Sequence, residues 1–258
     1  MHLAIEGRTA LVSGSSRGTG LVIAQRLAEE GATVLVHGLE PGLAEAAVAE
    51  IGAGIAVTGD ITRDSGAEAL VAACAGHPVD ILVNNYGTAD AGSWRDSDSD
   101  AWIDAYQKNV LSAQRLIRHF LPAMVERGWG RIVNLGTVGS TRPAARMPHY
   151  YAAKGALATA TVSLARETAG TGVRVNLVSP GLILTPEVEA AYLAKGRREG
   201  WGDTWEAVEP RVAADIPIRR IVRREEVANL VAFLVSPLAD AIHGQNLRID
   251  GGALETLT

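Results

Sequence analysis

The chain has 258 residues, 47% hydrophobic and 21% charged, with a formal net charge of −5 at pH 7. That is enough apolar material for one sizeable core, and the mildly acidic balance offers no basic footprint for nucleic acid. The lone Cys74 excludes a disulfide framework and a cysteine-based zinc site, the histidines show no ligand spacing, and no apolar run reaches signal or membrane-spanning length, so a metal-free cytoplasmic protein with no membrane partner is expected.

In chain order, strands and helices alternate. Thr9–Ser13 is short, apolar and β-branched, as a buried strand is. From Gly18 to Glu30 the apolar residues Leu21, Ile23, Ala24, Leu27 and Ala28 follow helical spacing, and Gly31 stops the helix. A strand at Thr33–His37, a helix at Pro41–Ile51, a strand at Ile55–Thr58 and a helix at Asp64–Cys74 come next. Asp80–Val83, Arg131–Leu135 and Val173–Val178 are further strands, and Asp98–Asn109, Leu111–Arg127 and Tyr150–Thr168 are the helices between them. Thr185–Asp215 breaks the rhythm with charge and three bulky anchors, Tyr192, Trp201 and Trp205, and reads as a helical insertion. Arg224–Leu234 is the last helix and Gln245–Ile249 the last strand. Apolar strands alternating with helices predict an α/β fold: one doubly wound, Rossmann-type domain over residues 1–258, a parallel seven-stranded sheet with helices on both faces.

Gly14, Gly18 and Gly20 fall where the first strand becomes the first helix. Glycine there permits positive φ and lets a pyrophosphate approach the backbone, while the helix N-terminus faces the anion. A tight turn without a ligand is the alternative. The second motif is Tyr150 and Lys154, four apart and so on one helical face. An ammonium beside a phenol favours the phenolate, which equips Tyr150 to exchange a proton with a carbonyl or alcohol oxygen. Tyr151 competes for that role, because it also lies near the face of Lys154.

The segment Ser13-Gly14-Ser15-Ser16-Arg17-Gly18-Thr19-Gly20 resembles the T-G-x-x-x-G-x-G motif of classical short-chain dehydrogenases/reductases, with serine in place of threonine. Asn84-Asn85-Tyr86-Gly87 is similar to their N-N-A-G, Asn109 to their helix asparagine, and Pro180-Gly181-Leu182-Ile183-Leu184-Thr185 to their P-G-x-I-x-T. The likeness spans essentially the whole chain, and the Y-x-x-x-K spacing selects Tyr150 over Tyr151. It implies catalysis by Asn109, Thr137, Tyr150 and Lys154. Thr137 stands where serine is usual, keeping the donor but adding a methyl group. It also implies that Lys154 grips the nicotinamide ribose and that Asn109 distorts its helix and holds a water leading to Lys154.

By the same resemblance Gly14, Ser16, Arg17, Gly18, Thr19, Gly20, Asp60, Ile61, Asn85, Gly87, Pro180, Gly181, Ile183 and Thr185 contact the dinucleotide together with Tyr150 and Lys154. The usual acidic position after the second strand is Gly38, so repulsion of a 2′-phosphate is missing. Arg17 could pair that phosphate and His37 could help, which favours NADP; Glu40 could substitute for the missing acid and keeps NAD open. Tyr86, where the family has alanine, either crowds the cofactor or reaches toward substrate. Tyr86, Trp94, Val138, Pro143, Met147, His149, Leu182, Trp201 and Trp205 frame a mostly apolar pocket, unless the tryptophans are packing anchors.

A small-molecule ketone or secondary alcohol therefore ranks above a substrate on an acidic carrier, for which Arg127, Arg131 and Arg142 form no dense patch. The competing function class is a catalytically silent NADP-binding redox sensor or scaffold. The resemblance implies a homotetramer or dimer joined through the helices at 111–127 and 150–168. The small face of Ala152, Ala156, Ala160 and Val162 either permits that packing or covers the sheet.

Overall fold

The computed structural model describes residues 2–256. Its strands are β1 (Thr9–Val12), β2 (Thr33–Gly38), β3 (Ile55–Thr58), β4 (Ile81–Asn84), β5 (Gly130–Leu135), β6 (Val173–Pro180), the short β7 (Ile183–Leu184) and β8 (Val222–Arg223), and β9 (Asn246–Ile249). The helices are α1 (Gly18–Glu29), α2 (Leu43–Ile51), α3 (Asp64–Ala73), α4 (Ser99–Tyr106), α5 (Ser112–Glu126), α6 (Pro148–Glu167), α7 (Pro186–Glu199), α8 (Trp205–Val212) and α9 (Arg224–Val235).

Seven strands form one parallel sheet in the order β3-β2-β1-β4-β5-β6-β9. Neighbouring residues of a strand point to opposite faces, so each central strand feeds two cores. Val12, Val34, Val36, Val83 and Val133 pack with Ile23 and Leu27 of α1 and Val231 and Val235 of α9. Leu11, Leu35, Leu82 and Ile132 pack with Leu70 of α3 and Leu116 and Met124 of α5. Burial on both faces is why these strands read as unbroken apolar runs. The chain winds outward from β1 in both directions, so a crevice opens at the carboxyl ends of β1 and β4.

Three details depart from the expected elements. The helices expected at 98–109 and 111–127 form one helical rod, joined by a π-helical turn at Gln107–Leu111. The insertion holds two helices, α7 and α8, tied back by a two-stranded β7–β8 ribbon with Ile183 opposite Val222. Strands of two residues are too short to carry a periodic signal. On α6, the sheet is covered by Ala153, Leu157, Thr161 and Ala165, whereas Ala152, Ala160 and Val162 are exposed. The small-residue face therefore looks outward.

His37, at the end of β2, is completely buried. Its Nδ1 accepts from Gly14 N at 2.9 Å, and Nε2 lies 2.8 Å from the Gly59 carbonyl. Burial lowers its pKa below the ordinary 6.5. The folded state thus holds a neutral ring while the unfolded state protonates near 6.5, so this stabilisation is present above that pH and fades as pH falls below it. His37→Ala leaves two buried backbone groups unpaired and should cost about 2–4 kcal/mol. Urea unfolding at pH 7.5 and 5.5 checks this: the wild type should lose more stability on acidification than the variant. Equal losses, with a variant as stable as the wild type, would refute the role.

Candidate active site

The glycine turn is held from below. The Gly14 N–H is taken by His37, and the carbonyls of Ser13 and Gly14 accept from Asn85 Nδ2 at 3.0 and 3.1 Å. Ser15 Oγ donates to the Val12 carbonyl and accepts from His37 N. A Cβ on Gly20 would stand 2.4 Å from Asn85 Nδ2 and from the Gly14 carbonyl, so this packing requires glycine. Gly14 and Gly18 both adopt φ of +62°, and the space over Gly18 is open. Arg17 stands at the N-cap of α1 without a capping hydrogen bond from its side chain, and no acid follows in the first turn. The free N–H groups of α1 therefore meet an open, backbone-lined cradle, which fits a pyrophosphate.

This support corrects the reading of His37: with both ring nitrogens engaged inside the core, it shapes the turn and does not face a phosphate. Ser16 and Thr19 are half-buried in the turn, and Arg17 is exposed, 3.2 Å from Glu187 on α7. At Gly38 a Cβ would meet Ala44 N and Leu43 Cβ at 3.1 Å, so a larger residue is disfavoured there, while Glu40 is exposed. Asp60 Oδ1 accepts from Thr62 N and Oγ1. Ile61 is fully buried and its carbonyl accepts from Arg115, so the structure corrects the expected contact of Ile61 with the dinucleotide and leaves Asp60 as the group that can meet a ligand.

Across the crevice, Thr137 follows β5, and Tyr150 and Lys154 lie on the first turns of α6. The Thr137 hydroxyl beside Tyr150 favours the phenolate, but burial outweighs it and pushes the phenol up to about 12. Lys154 is buried, its Nζ donates to the Leu135 carbonyl at 2.7 Å, and burial brings its pKa down to about 8. The expected lowering of the phenol by Lys154 is thus not what the site holds: desolvation dominates, and the ammonium is committed to β5. Tyr151 packs on Gly139, where a Cβ would be 2.1 Å from its Cε1. That leaves Tyr150 as the tyrosine partnered with Thr137.

Asn109 sits in the π-turn, 1% exposed. Its Nδ2 donates to the Ala105 and Thr88 carbonyls, and its Oδ1 accepts from Thr88 N. The side chain therefore stands in for a helical N–H, which gives the local widening a cause. A Cβ at Gly87 would meet Asn109 Oδ1 at 2.5 Å and Lys154 Nζ at 3.0 Å, so Gly87, Asn109 and Lys154 converge. Pro180 ends β6, Gly181 N donates to the Ile249 carbonyl, Ile183 lies in β7, and Thr185 caps α7 by accepting from Val188 N.

Of the expected substrate frame, Val138 and Leu182 are half-buried while Pro143 is exposed. Met147 holds a left-handed φ of 59° and donates its N–H to the Gly92 carbonyl. His149 is buried under Gly92 and against Trp102, which in turn meets the 74%-exposed Trp94. His149 anchors the 88–98 loop instead of lining an opening. Trp201 lies beneath Lys195 and its backbone N–H donates to the Gly196 carbonyl, so it packs back on the end of α7. Tyr86 packs on Gly14 and the core around α3 and α5. The sequence reading missed the buried chain Asn84 Nδ2 to Asn134 Oδ1 and Asn134 Nδ2 to Thr161, which ties β4, β5 and α6 together. Its only sequence trace is polar residues inside apolar strands.

Among the described residues no helix is long and apolar enough to cross a membrane, and no group of three His, Cys, Asp or Glu could hold a metal ion. The family described as enoyl-(acyl carrier protein) reductase matches residues 14–253. An uncharacterized oxidoreductase of Bacillus subtilis is 35% identical over 100% of both chains. The 3-oxoacyl-[acyl-carrier-protein] reductase FabG of Vibrio cholerae is 35% identical, over 96% of this chain and 98% of that one. The L-sorbose reductase of Gluconobacter frateurii, solved with NADPH and L-sorbose, superposes with a TM-score of 0.91 at 32% identity, over 100% of both chains. With glycine turn, tyrosine and lysine on a doubly wound sheet, and full-length likeness to these reductases, the chain is an oxidoreductase of the short-chain dehydrogenase/reductase family.

Proposed function

We propose that this protein reduces a small-molecule ketone, or oxidises the matching secondary alcohol, with NADP(H) as cofactor and Tyr150 as the proton donor and acceptor. The observation that carries this is Tyr150, beside Thr137 and one helical turn before the buried Lys154, across the crevice from an uncapped glycine turn. When bound, the nicotinamide supplies or takes the hydride at the carbonyl carbon. Tyr150, with its pKa near 12, is protonated at neutral pH and so is ready to give its proton to the carbonyl oxygen. Thr137 steadies that oxygen, and Lys154, still cationic at pH 7 with a pKa near 8, offers its charge to the ribose. Asn109 holds the Thr88 backbone and the π-turn next to Lys154.

Three features support NADP over NAD. No acid stands at Gly38, the packing there resists one, and Arg17 is exposed at the mouth of the turn. The likeness to a reductase solved with NADPH agrees. A free small ketone is favoured over a carrier-bound one because Arg131 is buried against Asp240 and Arg127 bonds the Val79 carbonyl, which removes two candidate docking charges. We read the whole chain as one catalytic domain whose 185–215 insertion is the substrate loop. Exposed Val125 and Val162, with the outward alanines of α6, support homotetramer or dimer contacts through α5 and α6. The free, buried Cys74 suits a reducing, cytoplasmic setting.

Two measurements check this reading. Against a panel of ketones and secondary alcohols followed by nicotinamide absorbance, Tyr150→Phe should lower kcat by at least about 100-fold with NADPH binding unchanged. Equal turnover by both proteins would remove Tyr150 from the chemistry, whereas a silent sensor or scaffold would keep its function in the variant. Arg17→Gln should raise KM for NADPH about tenfold, as loss of one charge-assisted contact does, and leave KM for NADH unchanged. An equal effect on both would refute recognition of the 2′-phosphate.

A further inference from the structure

Arg115, on the first turn of α5, is a buried cation that the chemistry at Tyr150 does not use. It is 6% exposed, and each nitrogen of its guanidinium has a partner of its own. Nε donates to Asp64 Oδ1 at 2.5 Å, one terminal nitrogen to the Ile61 carbonyl at 3.3 Å and the other to Gln107 Oε1 at 2.6 Å. Taking a guanidinium out of water is costly, and the cost is offset only when its donors are met in the planar fork that arginine offers. The Arg115 hydrogen bond in turn holds the Asp64 carboxyl below its ordinary range.

The three partners belong to two places at the carboxyl edge of the sheet. Ile61 and Asp64 follow β3, and Asp64 opens α3. That corner is tight. A Cβ on Gly66 would stand 2.1 Å from the Asp60 carbonyl, which also accepts from Arg63 N. Gripping Ile61 and Asp64 therefore fixes Asp60. Gln107 is the first residue of the π-turn, and the Ser112 N–H returns to its carbonyl. Two residues on, Asn109 bonds Thr88 and converges with Gly87 and Lys154.

β2 and β1 separate β3 from β4 in the sheet, so no ladder bond sets the distance from the Asp60 corner to the π-turn. On that face α3 and α5 meet through apolar side chains such as Leu70 and Leu116. Apolar contact is non-directional, whereas a three-pronged hydrogen-bonded fork holds one geometry. We propose that Arg115 is a positioning residue that locks the Asp60 corner to the Asn109 π-turn, so that the two ends of the crevice keep one spacing. This rests on the dinucleotide reading above, in which Asp60 meets the adenosine half and Lys154 the nicotinamide ribose.

Titration with 2′,5′-ADP, which fills the adenosine end alone, and with NADPH, which spans both ends, tests it in the full-length protein. Folding of each variant is checked by circular dichroism melting. Gln107→Ala cuts only the link to the π-turn. It should weaken NADPH about fivefold, the scale of one hydrogen bond, and leave 2′,5′-ADP within twofold. Asp64→Asn loosens the corner and should weaken both ligands about fivefold. In an Arg115→Met background Asp64→Asn should add less than twofold, because the two residues act as one unit. A merely structural arginine would lower the melting temperature and show no split between the ligands. Equal loss of both ligands in Gln107→Ala, no loss in either single variant, or a full Asp64→Asn effect without Arg115 would overturn the proposal. If Arg115→Met does not fold, the split between Gln107→Ala and Asp64→Asn decides alone. Failure of the wild type to bind either ligand would instead overturn the NADP(H) reading, and this inference with it.

Discussion

The peptide groups on both sides of Gly14 are spent before any ligand arrives, and the site depends on that. The Gly14 N–H goes to His37 on β2, and the Ser13 and Gly14 carbonyls go to Asn85 beyond β4. Two neighbouring strands thereby hold the turn at its base. The chain can then enter α1 with its first N–H groups uncapped. Unsatisfied donors at a helix end are costly when buried, and here they face an open space. The turn is rigid below and receptive above, and burying a histidine is part of how that is arranged.

A second constraint is desolvation at the Tyr150–Lys154 pair. Lys154 is almost fully buried, and its carbonyl partner at Leu135 is neutral. Tyr150 gains from Thr137 but loses more by burial. The pair at rest is therefore poised toward a neutral phenol, which suits donation to a carbonyl oxygen better than abstraction from an alcohol. The Asn109 π-turn belongs to the same arrangement. By giving Ala105 and Thr88 their hydrogen bonds, one side chain pins α4 to the 88–98 loop next to Lys154.

Most of the sheet was legible in the sequence, because apolar runs such as Ile81–Val83 and Val173–Val178 have no other good home than a two-sided core. The shared helical face of Tyr150 and Lys154 followed from spacing, whereas Thr137 was implied by the family resemblance. Contacts between residues far apart in sequence were not legible. His37 reads as a residue at the mouth of a site and turns out to be a bolt inside it, since strand parity alone does not say how far a turn folds back. The partnership of Asn134 with Thr161, and the burial of His149 under Gly92, depend on backbone curvature that no local pattern encodes. The β7–β8 ribbon was invisible because each strand has two residues.

In the proposed function, the Arg17–Glu187 pair bears on cofactor choice through its weakness. Both partners are exposed, and such a pair contributes only about 0–1 kcal/mol. It links the glycine turn to the first turn of α7, where Glu187 also complements the helix dipole. A phosphate dianion offers Arg17 more charge and more acceptor oxygens than one carboxylate, so the arginine can leave Glu187 at small cost. A ribose without that phosphate offers no such exchange. In the proposed function, the contact that tells the two dinucleotides apart is therefore one the protein holds loosely, while the strands, His37 and Asn85 hold the turn itself firmly.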